Sequence, residues 1–202
     1  MSDGQKNCLT LIIALIIIAV FGIAIFFILQ KQKEEKLKAA LGEETFAQCT
    51  TLGGGNANLS NFPTTQGPFK SVVIGLGEND LHEWHEVLPE ETKAETSAEL
   101  SLIFCVGEVE KQVIEECPYY REDGSLIFAV QRFQPYKLVA VFNATTHRRI
   151  ADVHVMGGIP QACEDYRYDQ QGSVTAYNGS EPDANTFLRA IWEYIYRDTS
   201  RR

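Results

Sequence analysis

The sequence is short of positive charge. Eighteen Lys and Arg stand against 27 Asp and Glu, a formal net charge of −9. Nucleic-acid binding needs a basic footprint, so nucleic acid is excluded as a partner. No G-x-S-x-G segment is present to build a strained serine nucleophile, and no H-E-x-x-H segment places two histidines on one helix face. The glycine run Gly53-Gly54-Gly55 has no Lys after it at the spacing of a phosphate loop, and no strand leads into it. Internal repeats are lacking as well. Hydrophobic residues at 45% exclude wholesale disorder, but outside one block there is no long apolar run.

That block is Leu9–Leu29, LTLIIALIIIAVFGIAIFFIL, 21 residues with Thr10 as the only polar member. As an α-helix it is ~31 Å long, the thickness of the hydrocarbon core of a bilayer. No face of it is polar, which sets it apart from a core helix. It is longer than the h-region of a signal peptide, and no A-x-A site follows. The reading is one uncleaved transmembrane helix at 9–29 after an N-terminal flank at 1–8, with the lipid bilayer as partner. Cys8, at the boundary, is a candidate for palmitoylation and more simply a small apolar residue.

Two signals disagree about which side the rest lies on. Lys31, Lys33, Lys36 and Lys38 follow the span and only Lys6 precedes it, which by the positive-inside rule places the C-terminal part in the cytoplasm. Against this, Cys49, Cys105, Cys117 and Cys163 form an even set suited to an oxidising compartment. Three N-x-[ST] sequons, Asn58, Asn143 and Asn178, point the same way. The expectation is an extracytoplasmic domain at the cell membrane. A cytoplasmic, membrane-tethered regulatory domain with four free thiols is the alternative.

Residues 30–44 carry strong helix formers and continue the helix as a stalk until Gly42. Residues 45–70, rich in Gly, Pro and small polar residues, read as a flexible linker. Residues 71–202 then form an α+β domain. Its strands are expected at Ser71–Leu76, Glu99–Val106, Val109–Cys117, Ser125–Phe133, Tyr136–Asn143 and Ile150–Met156, divided by Gly107-Glu108, Gly124 and Pro135. Short connections favour an antiparallel β-meander. Over Pro182–Arg197, Phe187, Leu188, Ile191, Trp192, Ile195 and Tyr196 make a broad apolar stripe, expected to lay a C-terminal α-helix across one face of the sheet.

Ligand-type residues cluster once, in Leu81–Glu86, LHEWHE. His82, His85 and Glu86 are the metal-ligand candidates, and a helical turn brings i and i+3 together. A metal-dependent hydrolase is the function they would serve. The competing view makes the segment a structural turn, leaving no metal, cofactor or catalytic residue assigned. Among the cysteines, a hairpin centred near Lys111 sets Cys105 opposite Cys117 and leaves Cys49 for Cys163. A tighter turn at Gly107-Glu108 forbids that pairing.

Cys105, Cys117-Pro118-Tyr119, the turn at Thr146-His147 and the segment Gly158-Ile159-Pro160-Gln161-Ala162-Cys163 resemble an uncharacterised bacterial family of membrane-anchored or exported α+β domains. In that family the sheet carries a C…C-x-Y pair, an A-x-T-G turn and a G-x-P-x-x-C segment before a terminal helix. The likeness covers roughly residues 100–196, with His147 standing where the pattern has Gly. It implies the architecture and an outside location, and no activity. The functional expectation is a membrane-anchored, non-catalytic binding or scaffolding domain.

Overall fold

The computed structural model describes residues 3–51, 55–64, 66–121, 123–163 and 176–197. Helix α1 runs Asp3–Leu41 and contains the whole apolar block. Its side chains are described from Val20 onward, Gln30 apart, so Cys8 lies outside the described side chains. From Val20 to Leu29 the large apolar side chains are each more than half exposed. Among the described residues no helix is long and apolar enough to cross a membrane.

The chain divides into two compact units, residues 1–40 and 41–202. Gly42, at φ +81°, ends α1 in the left-handed conformation that glycine adopts without penalty. Helix α2 follows at Glu43–Thr51 and buries Phe46 and Cys49. Phe62 and Phe69 are buried too. The stretch read as a flexible linker is therefore part of the folded unit. Its glycines and prolines mask four buried anchor residues, Phe46 and Cys49 one helical turn apart on α2 and Phe62 and Phe69 beyond it.

The sheet contains β1 (Ser71–Gly75), β2 (Leu102–Tyr120), β3 (Leu126–Asn143), β4 (Arg149–Met156) and β5 (Ala176–Asn178). The order is β1-β2-β3-β4, with β5 also on β3. The β2–β3 and β3–β4 pairs are antiparallel. β1 runs parallel to β2 and β5 parallel to β3, which corrects the expected pure meander. The crossover between β1 and β2, residues 76–101, is long enough for parallel pairing and carries two short 3-10 turns.

Four expected strands merge into two long ones. Val106 pairs with Val139 and the next pair is Val109 with Lys137, so β2 holds one extra residue at Gly107-Glu108. The apparent turn is a β-bulge. A second bulge lies between Val113 and Glu115. Pro135 sits inside β3 opposite Lys111. Each bulge moves the inward set of β2 by one residue, so a period of 2 does not survive along it.

Leu102, Phe104, Val106, Val139, Val141 and Val155 form one face with Val73, and α3 (Ala184–Ile195) packs on it. Asp183 caps α3 by accepting the Thr186 N–H at 2.7 Å. Phe187, Ile191 and Ile195, spaced i, i+4, i+8, are fully buried, each contributing about 1.5–3 kcal/mol. The opposite face carries Ile74, Ile103 and Cys105, and α2 is fastened there.

The two disulfides are Cys49–Cys105 and Cys117–Cys163. This corrects the expected Cys105–Cys117 and Cys49–Cys163 pairing. Cys105 and Cys117 lie in the same strand, roughly 40 Å apart at 3.3 Å per residue, beyond any bridge.

Candidate functional site

Leu81–Glu86 folds as a corner. His82 is the N-cap of the 3-10 turn Glu83–Val87, its Nδ1 accepting the Trp84 backbone N–H at 3.1 Å. His85 is buried, and its Nδ1 accepts the Val73 N–H at 3.4 Å. Glu86 is exposed and meets Lys93 Nζ at 3.7 Å. One imidazole serves the turn, the other serves β1, and the carboxylate stays outside with a lysine. No group of three His, Cys, Asp or Glu among the described residues is arranged to hold a metal ion. His82, His85 and Glu86 form no joint ligand set.

What the corner does assemble is a cation on an indole. Lys137 occupies a position of β3 whose alternation with Val139 and Val141 sends it to the face packed by α3. Its Nζ lies 5.0 Å from the Trp84 ring centroid and 3.3 Å from His82 Nε2. Trp84 itself is buried, stacked on Phe187 at 4.9 Å. Burial first and the Lys137 charge second lower the His82 pKa to about 4, while Glu83 opposes them. At neutral pH His82 is therefore uncharged. One feature of the sequence marked this site, a lysine at an inward position of the apolar run YKLVAV.

The second feature is the β2–β3 extension. Beyond Val109 and Lys137 the two strands continue as a hairpin arm to Tyr120 and Leu126; among the described residues, Met156 of β4 and the three residues of β5 pair along its β3 side. On one face, Cys117, Tyr119, Val130 and Tyr177 form a small core with Phe128 and Cys163 packed against it. A strap, residues 157–163, crosses this face. Gln134 donates to Gly157 O at 2.9 Å, and Arg132 donates to Pro160 O and Gln161 O at 2.8 and 2.7 Å. Arg132 also pairs with Glu115, and Cys117–Cys163 closes the strap. Where the strap leaves β4, Gly157 and Gly158 cross Gly179 and Ser180 so closely that a Cβ on Gly157, Gly158 or Gly179 would overlap the opposing segment.

The rest of the arm exposes several apolar side chains among polar ones. Val113, Ile114, Tyr120, Leu126 and Ile127 are all exposed, Tyr120 at 60% and Leu126 at 58%. Edge-to-edge pairing of the arm is discouraged by its bulges and by Glu108, Glu110, Lys111, Glu115 and Glu116 along β2. The apolar side chains stand on a face whose strands are already paired to each other.

The sequons separate by burial. Asn143 is buried, its Nδ2 donating to Asn61 O at 2.8 Å and its Oδ1 accepting from Thr145 N and Thr146 N. Its amide holds the turn after β3 and has no room for a glycan. Asn58 and Asn178 are exposed. Comparison of the chain with protein-family models, with curated proteins and with solved structures finds no match in any of the three.

Proposed function

We propose that the chain is a single-pass membrane protein whose residues 9–29 cross the bilayer. Its folded unit is held outside the cytoplasm as a non-catalytic binding or scaffolding domain. The membrane reading is supported by an uninterrupted apolar block inside a 39-residue helix, whose large apolar side chains from Val20 to Leu29 are each more than half exposed. The outside location is supported by two disulfides that use all four cysteines of the folded unit.

The observation that carries the binding role is the arm. A disulfide-fastened strap stiffens it from one side, while Val113, Tyr120 and Leu126 stand in solvent on the other. Large apolar side chains exposed on a stiffened element are the mark of a protein-interaction site.

The test has two parts, both on the full chain in its own cells. A membrane-impermeant protease added to intact cells should degrade the folded unit, and full protection would overturn the outside location. A photo-cross-linking residue placed at Val113 or Leu126 should yield one discrete adduct. The same residue at Glu193, on the exposed side of α3, should yield none. Absence of an adduct from the arm, or the same adduct from both places, would overturn the binding role.

A further inference from the structure

We infer that His82 and Lys137 form a binding site for an oxyanion, a carboxylate or phosphate group seated over the Trp84 edge of the corner. The argument starts from proton bookkeeping. His82 Nδ1 accepts the Trp84 N–H at 3.1 Å, so in the neutral ring the proton resides on Nε2. Nε2 lies 3.3 Å from Lys137 Nζ, and an ammonium carries donors only. Two donors thus lie side by side, with no acceptor between them among the described residues.

The other tautomer would let Lys137 donate to Nε2. It would set a proton on Nδ1 against the Trp84 N–H and orphan the amide that opens the turn. Leaving a backbone donor of a buried residue unmet costs about 1–3 kcal/mol, so the capped form is retained. The two oxygens of a carboxylate, or two of a phosphate, can take one donor each. Among the described residues no carboxylate lies within ion-pair distance of Lys137. The neighbouring Glu83 is exposed and acts on His82 through its charge alone. Lys137 supplies net charge, Nε2–H supplies direction, and the buried indole fixes the spacing of the two. This site is independent of the arm.

The experiment uses the full chain in detergent micelles, 15N-labelled in histidine and tryptophan. In the free protein the His82 resonances should report a proton on Nε2. Sodium phosphate and sodium acetate, added at constant ionic strength against sodium chloride, should shift the Nε2 signal saturably. Lys137→Met should weaken that response about tenfold or more, the worth of one charge-assisted hydrogen bond. Its Trp84 amide resonance should be unchanged, showing that the turn is intact. A proton on Nδ1 in the free protein would overturn the inference. So would a response no different from chloride, or one that survives Lys137→Met.

Discussion

Single residues show where a local rule was obeyed or broken. His147 has φ 54°, in the region that favours glycine. His147→Gly should therefore be neutral or stabilising by up to about 1 kcal/mol, since it removes a left-handed penalty of ~1–2 kcal/mol and adds back backbone entropy. Urea titration of the full chain in micelles reads this directly. A loss above ~1 kcal/mol would show that the imidazole supports the turn.

His82 gives a pH signature. Its pKa falls from 6.5 unfolded to about 4 folded, so between those values the unfolded chain binds the extra proton. Stability is then full above pH 6.5 and is lost as pH falls towards 4. After allowance for solvent screening at a half-exposed group, the loss is ~1–2 kcal/mol. His82→Asn keeps a capping acceptor and removes the titration. The difference between wild type and variant should grow in favour of the variant below pH 6.5. A pH-independent difference would contradict the assignment.

Elements differ in how firmly they are held. The two disulfides close separations of 56 and 46 residues, worth about 4 kcal/mol each in the chain-entropy model, so loop length does not rank them. Access does. Cys49 and Cys105 are both fully buried between α2 and β2, whereas Cys163 is partly exposed on the strap. Graded reduction with a dithiol, followed by alkylation and peptide mapping, should open Cys117–Cys163 first. With that bond open, the strap should become protease-sensitive while α2 stays attached. Opening of Cys49–Cys105 first would mean that the main core is the looser part.

The elements also show what a linear reading recovers. Helix α3 was legible to within two residues at each end, because an apolar stripe and an Asp cap are local signals. β2 and β3 were each divided at the residue that reads as a breaker, Gly107 or Pro135. In the structure the first is a bulge and the second an internal strand position. His82 and His85 were visible as polar residues, but Lys137 lies 55 residues from His82 in sequence, and only the sheet brings it to the corner.

For the whole molecule, the boundary of the folded unit is the point at issue. The folded unit begins at Leu41, and α2 contributes Phe46 and Cys49 to it. A fragment starting at Leu41 should be soluble with no free thiol. One starting at Ser71 lacks Cys49, Phe62 and Phe69, so it should expose one thiol on Cys105 and aggregate. Thiol titration after denaturation, with gel filtration, distinguishes the two. Equal behaviour would make α2 dispensable.

The sequence by itself determined the features that depend on neighbours along the chain: the apolar block within a long helix, its end at Gly42, the capped terminal helix, and which residues prefer extended structure. Pairing was decided only by the tertiary structure. Which strands lie together, which edges run parallel, which cysteine meets which and which cation reaches His82 all depend on register. Here register is set by several bulges, two of which shift β2 by a residue each. A bulge is stabilised by contacts from the strands opposite it and from the face it turns inward, and those partners are distant in sequence.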